Sequence, residues 1–486
     1  MRRLGQLLAG VALASGLLSG CATMAPQSVP GALPVPQAWP TGGAYLRQDQ
    51  AGLPAYSWRD VFGDPRLQAV IARALANNQD ARLAAANVAA ARATYRIQRA
   101  AQLPELDAGS SVTHNDGARL GTPGASSGSS ASGSGGGGAT NSLAAETGVS
   151  GYELDLFGRL RSLTGAAQDR YFSSVSAERA SKLAVVSEVA DAWVAYAKDT
   201  TLLTVARQTA ASAGESYRIA GRRLTGGIAP RSDVRQAEIV LRIAESDIAN
   251  QTTLLAQDAN ALRLLAGAEV TPGELPTSVV DAGAQLAEVP AGLDSTTLLR
   301  RPDVMEAEFN LRAADAQIGA ARAALFPKIT LTGLLGLASS TLGALFTGGA
   351  FAWSAGAAAS YPIFRGGGAR QNVRLTEAQR DAALASYRKT IEVAFQDVAD
   401  TLARRGTIDA QLAALTAGRA AAADNLQLAD LRYRGGIDTY LAELTARQSL
   451  YSAEKALAAA RAVKATNLVA LYRSLGGERF EEAAAQ

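Results

Sequence analysis

Cysteine and histidine occur once each in 486 residues. With only Cys21 and His114 available, the Cys/His sets that hold zinc cannot be built, and a serine-protease type of triad would have to rest on His114 alone. His114 stands beside Asn115 and Asp116 at a strand end and reads as a loop residue. One thiol also excludes an internal disulfide. Charge of either sign is not in excess: Lys+Arg total 47 against 44 Asp+Glu. No stretch concentrates Lys and Arg with interleaved aromatics, so nucleic-acid binding has no electrostatic support. The paired carboxylates Glu481 and Glu482 lie in a polar tail without partner geometry. No catalytic residue, metal site or cofactor is expected. No apolar run of about 18 residues follows Cys21, so a spanning helix is not expected there, and any entry into a membrane must be by strands.

What is present begins with "MRRLGQLLAGVALASGLLSGCATM". Two arginines precede an apolar run too short and too rich in Gly and Ala to span a bilayer, which is the form of a signal peptide over 1–20. "LSGC" is the type of sequence read by lipoprotein processing, with cleavage expected between Gly20 and Cys21 and acylation of Cys21. A diacylglyceryl thioether plus an amide-linked chain would supply the two anchors that stable attachment needs. Ala22 in place of Asp at the next position points to outer-membrane sorting. Residues 21–60, centred on "PGALPVPQAWP", read as a lipid-anchored extended segment.

From Asp64, a good N-cap with Pro65 at the first helical position, apolar residues recur at helical spacing and the run stops near Pro104. The period then changes to two. Leu106, Ala108, Ser110 and Val112 alternate with Glu105, Asp107, Gly109 and Ser111, and a second alternation carries Leu143, Ala145, Thr147 and Val149. A glycine- and serine-rich stretch separates them, so 105–155 reads as a hairpin with a long surface loop. Residues 161–224 then form one helix of about 95 Å at about 1.5 Å per residue. Its Leu183, Val186, Ala190, Trp193 and Ala197 make a near-heptad seam. "TGGIAP" and a second helix to Gly267 follow.

After a connector over 268–300 the plan recurs. A helix runs up to Pro327, a hairpin covers about 327–362, and a long helix carries Leu384, Tyr387, Ile391, Phe395, Val398 and Leu402 at spacings of three and four. The turn "RGGI" matches the earlier "TGGI". The chain is a tandem duplication, with repeats at 61–267 and 301–476 and a flexible tail at 477–486. Two hairpins supply four strands, which cannot close a barrel with a lumen. Lipid does not tolerate open edges, so membrane-entering hairpins require several chains to pool strands. A small soluble sheet capping a helical bundle is the alternative that the strand pattern alone leaves open. A filamentous periplasmic coiled coil is the alternative for the helices.

Several stretches carry a resemblance: "SWRDVFGDPRLQAVIARALANNQD", "GYELDLFGRLR", "LLRRPDVMEAEFNLRAADAQIGAARAALFP", "YPIFRGGGAR" and "LRYRGGIDTYLAELTARQSLYSAE". In order and twice over, they resemble the TolC-type outer-membrane factors of tripartite efflux pumps, in the lipoprotein branch that is NodT-like and OprM-like. The resemblance implies a mixed fold of α and membrane β. The subunit would trimerise into a twelve-stranded outer-membrane barrel continued by a periplasmic helical barrel. It implies a passive, non-enzymatic conduit for drugs or other toxic small molecules. Its partners would be two further copies of itself, a periplasmic membrane-fusion adaptor, an inner-membrane transporter of the resistance-nodulation-division type and outer-membrane lipid. It places adaptor docking at Gly226, Gly227 and Ile228 and at Gly435, Gly436, Ile437 and Asp438. The family's inner aperture maps to Leu426 and Asp430 as rings and to Arg432, Tyr433 and Arg434 as constraining contacts. An ordinary solvated helix end, with arginines against the helix dipole, is the plainer reading of these residues. The segment 121–140 is longer and plainer than the family's first external loop, which puts a lid role there in doubt. A pore-less scaffold lipoprotein and a protein-secretion channel are the competing functions.

Overall fold

The computed structural model describes residues 24–26, 38–45, 57–115, 140–286 and 295–477. The leader, Gly20, Cys21, the loop stretch 121–140 up to Ala139 and the tail beyond Gly477 lie outside the described residues. The elements, in chain order, begin with α1 (Trp58–Val61), α2 (Pro65–Asn77) and α3 (Gln79–Ala100). Then come β1 (Leu106–Asn115), β2 (Thr140–Glu153), α4 (Arg159–Thr225), α5 (Arg231–Ala266) and α6 (Val279–Gly283). The second half holds α7 (Pro302–Ala323), β3 (Lys328–Ser339), β4 (Phe351–Ser360), α8 (Gly368–Arg434) and α9 (Tyr440–Ser474). The duplication is visible in the lengths. Helices α4 and α8 both have 67 residues, α3 and α7 both have 22, and α5 and α9 have 36 and 35.

The chain divides into two compact units. One holds 91–170 and 311–383, and the other holds 30–90, 171–310 and 384 onward. In the first unit the strands form a four-stranded antiparallel sheet in the order β1-β2-β3-β4. The two hairpins, one from each repeat, are joined by β2 and β3, with a bulge between Val149 and Tyr152. This seam requires glycine. A Cβ at Gly336 would sit 2.4 Å from the Ala145 carbonyl oxygen, and one at Gly148 would sit 2.1 Å from that of Gly333. The outer edges of β1 and β4 pair with no strand among the described residues.

The second unit has the main core. Trp58, Val61 and Phe62, with Leu67, Val70, Ile71 and Ala74 of α2, pack against the α4 seam of Leu183, Val186, Ala190, Trp193 and Ala197. The ends of α5 and α9 add Leu262, Ala266, Val469 and Tyr472. Asp64 caps α2 as expected, accepting from the Arg66 backbone N–H at 2.8 Å. Its carboxylate also takes the Arg66 guanidinium at 2.7 Å, which holds its pKa below the usual value against the opposing effect of burial.

Two details differ from the sequence reading. The single helix expected up to Pro104 is broken at Asn78, whose backbone is extended (φ −59°, ψ 134°). Its side-chain oxygen accepts from Asp80 N–H at 2.8 Å and Ala81 N–H at 3.2 Å, capping α3, while its amide donates to Leu265 O at 3.0 Å. Three hydrogen bonds by one side chain compensate for the interrupted helix. The N-terminal segment read as extended to residue 60 already forms α1, where Ser57 and Asp60 make a reciprocal capping box.

Candidate functional site: a two-faced sheet and paired helical tips

Residues directly opposite one another in a sheet share a face. Following Leu106↔Val149, Val112↔Leu143, Leu143↔Ser339, Thr147↔Leu335 and Leu335↔Trp353 across the strands collects one face. That face carries Leu106, Val112, Leu143, Val149, Leu335, Leu337, Phe351 and Trp353. Leu106 and Trp353 on it are 74% and 73% exposed. The other face carries Asp107, Ser111, Thr113, Glu146, Glu153, Lys328, Thr332 and Ser354. All the Asp, Glu, Lys and Arg residues of the four strands are on this second face. A sheet with an exposed apolar face and a charged opposite face has lipid on one side and water on the other. His114 is not a loop residue as expected but part of β1, opposite Asn141 on the apolar face, with Nδ1 2.6 Å from the Asn141 side-chain oxygen.

At the helical ends of the second unit, the two turns have the same backbone. After α4, Gly227 N–H donates to Leu224 O at 3.0 Å and Ile228 N–H donates to Arg223 O at 2.9 Å. After α8, Gly436 N–H donates to Tyr433 O at 3.1 Å and Ile437 N–H donates to Arg432 O at 2.9 Å. Gly227 and Gly436 both have φ +71°. This is the left-handed Schellman cap in which a residue with a Cβ is strained. Ile228 and Ile437, which follow, are 80% and 67% exposed. Gly226 and Gly435 precede the left-handed positions and are still in the last helical turn, donating to Arg222 O and Leu431 O.

The side chains of the expected aperture set divide into two groups. Arg432 clamps Asp438 across the turn, Nε to Oδ2 at 2.5 Å and Nη2 to Oδ1 at 3.2 Å. The guanidinium hydrogen bond holds the Asp438 carboxyl below the ordinary range. Arg434 reaches back one turn to Asp430 at 2.9 Å. Both pairs are at the surface, where water and salt weaken them. Leu426 is half-buried one turn further up α8.

Tyr433 is different. It is buried in a cluster with Ala213 and Ala220 of α4, Ala237 and Val240 of α5, and Tyr440 and Leu444 of α9. The Tyr440 ring lies 5.3 Å away, and the Arg223 guanidinium of the other tip sits 4.4 Å from the Tyr433 ring centre. Tyr433 therefore knits the two hairpins of one chain together. Behind it, Glu443 and Arg447 form a buried ion pair at 2.6 Å, and burial pushes the Tyr440 hydroxyl up to about 12. Sequence reasoning missed Arg223, Tyr440, Glu443 and Arg447. The i, i+4 spacing of Glu443 and Arg447 was a usable signal, but nothing local marks Arg223.

A sheet with one face for lipid, and long helices that reverse in paired hairpins, are the parts that a channel subunit of the outer membrane needs. Residues 70–268 and 293–477 match the family model described as outer membrane efflux protein. The two matched segments, one on each repeat, cover most of the chain, which belongs to this family. The antibiotic efflux pump outer membrane protein ArpC of Pseudomonas putida is 41% identical over 478 residues, spanning 98% of this chain and 96% of its own. The toluene efflux pump outer membrane protein TtgC of Pseudomonas putida has the same identity and coverage. Among solved structures, the open state of the MtrE outer membrane channel of Neisseria gonorrhoeae superposes with a TM-score of 0.82. It is 32% identical and covers 94% of this chain and 98% of that one. The chain is an outer-membrane efflux-pump channel component and not an enzyme.

Proposed function

We propose that three copies of this chain pool their sheets into one closed barrel through the free edges of β1 and β4, continued by a tunnel of paired helices. The observation that carries this is the two-faced sheet: its apolar face requires lipid, and its two open edges are intolerable there. Four strands are too few to enclose a lumen, and twelve suffice. Native mass measurement of the detergent-extracted protein tests the reading. A trimer that conducts in planar bilayers is expected, and a monomer without conductance would overturn it.

In the working pump the tips at Gly226–Ile228 and Gly435–Asp438 receive a periplasmic adaptor, which links the channel to an inner-membrane transporter of the resistance-nodulation-division type. Leu426 and Asp430 line the closed end, and the Arg432–Asp438 and Arg434–Asp430 pairs hold it. Weak, solvent-exposed pairs suit a closure that docking must undo. Cys21 carries lipid after removal of residues 1–20. The cargo is small and toxic, in keeping with the antibiotic and toluene named for the relatives. Loss of antibiotic or solvent tolerance on deletion, restored by the intact chain but not by Cys21→Ser with its leader retained, is the corresponding cellular test.

A further inference from the structure

The strands contain four formal charges, Asp107, Glu146, Glu153 and Lys328, all on the polar face. Two of them are neutralised. Glu153 takes Arg159 at 2.7 Å and Lys328 at 3.1 Å. Asp107 and Glu146 have no cationic partner among the described residues, and the Asp107 carboxylate has only the Ser150 hydroxyl at 3.1 Å. The register sets Asp107 opposite Gly148, and Glu146 opposite Gly109 on one side and Gly336 on the other. The two residues are thus diagonal neighbours on adjacent strands, with backbone positions about 7–8 Å apart by ordinary sheet geometry. Their cross-strand neighbours are glycines, and among the described residues both carboxylates are exposed in front of the sheet.

We infer that Asp107 and Glu146 form an acidic band inside the barrel that sets a preference for cationic over anionic solutes at membrane depth. The inference rests on the trimeric reading above, which turns one pair per chain into a ring. Carboxylates of one sign on a low-dielectric wall focus their field into the lumen, where potentials of a few kT arise. A cationic or zwitterionic cargo would be concentrated there and an anionic one slowed. Glu153 adds nothing to this preference, because Arg159 and Lys328 together more than offset its charge.

The test places a thiol on the same face while leaving both carboxylates intact. Ser111→Cys is expressed in the otherwise native chain, whose only thiol is Cys21, and labelled on intact cells with a cationic or an anionic methanethiosulfonate of matched size. The cationic reagent should react faster by about tenfold, the scale of a potential of a few kT. Asp107→Asn with Glu146→Gln should bring the ratio close to one, as should high salt. Equal rates for the two reagents with both carboxylates present would overturn the charge preference while leaving the barrel standing. Leu335→Cys, on the apolar face, should resist both reagents. If Leu335→Cys reacts and Ser111→Cys does not, the face assignment fails and the barrel reading with it. Ser354→Cys on β4 provides the same readout should Ser111→Cys fail to reach the outer membrane.

Discussion

The two helical tips share a backbone but not a chemistry. Superposing the ends of the two 67-residue helices sets Arg223 against Arg432, Leu224 against Tyr433, Thr225 against Arg434 and Ala229 against Asp438. At the first tip there is no acid for Arg223 to clamp, and its guanidinium lies over the Tyr433 ring of the second. At the second tip Arg432 closes on Asp438 and Arg434 on Asp430. Duplication supplied the turn twice, and divergence gave the packing role to one copy's aromatic and the ion pairs to the same copy's surface. The shared backbone is therefore no guide to the chemistry of either tip.

The largest expected effect comes from the buried member of the comparison. Tyr433→Ala removes an aromatic from a cluster fed by four helices and should destabilise the fold by about 3–4 kcal/mol. The Leu224→Ala change at the partly exposed equivalent position should cost about 1 kcal/mol or less. Thermal melts of the detergent-solubilised protein separate the two. Similar losses at both sites would mean that the tips are not as unequal as their packing.

Removing the surface pairs should alter conduction more than stability. Asp430→Ala with Arg432→Ala is expected to raise single-channel conductance and to sensitise cells to large antibiotics, whereas Thr225→Ala at the first tip changes neither. Unchanged conductance in the double variant would remove these residues from the closure.

A third contrast lies further along the hairpins. Asp258 of α5 interacts with Asp199 of α4, beside Lys198, and burial together with the Asp199 charge pushes the Asp258 carboxyl up to about 6. The equivalent position in α9 is Asn467, which donates to Thr401 O at 3.1 Å, and Ile408 stands where α4 has Asp199. Because the folded-state pKa of Asp258 lies above the ordinary value of 3.8, the folded chain binds a proton that the unfolded chain has released. Stability from this group is full below about pH 4 and is lost as pH rises through about 6. Asp258→Asn, which makes the first repeat resemble the second, should flatten that part of the pH profile and stabilise the protein at pH 7.5. With Asp258 partly exposed, solvent screening limits the gain to about 1–2 kcal/mol. Melting points at pH 5 and 7.5 for both proteins measure it, and parallel shifts in the two would refute the assignment.

The smallest effect should be a symmetric one. Gly227→Ala and Gly436→Ala each place a Cβ at φ +71° and should cost about 1 kcal/mol alike. A large difference between them would show that one turn is strained by more than its cap.

Much of this was legible from pattern alone. The seam from Leu183 to Ala197 predicted which face of α4 is buried, and the alternation around Val112 and Leu143 predicted β1 and β2. The Gly-Gly turns marked where the long helices reverse. Asn78 was not legible as a break, because helical propensity on both sides hides a cap whose third partner, Leu265, is far along the chain. The family resemblance places Tyr433 among the constraining contacts, and local sequence does not show its burial. Its environment depends on Arg223, Ala237 and Tyr440, which no local window contains.

By itself the sequence determined the repeat, the elements and their amphipathic faces, because periodicities of 2 and 3.6 and the left-handed need for glycine act over a few residues. Only the tertiary structure decided which strands share a face across the β2–β3 seam, which strand charges are left uncompensated, and which tip buries its aromatic. Those outcomes depend on register and on contacts between helices far apart in the chain, and a single slip of register would have sent Asp107 and Glu146 to the lipid face.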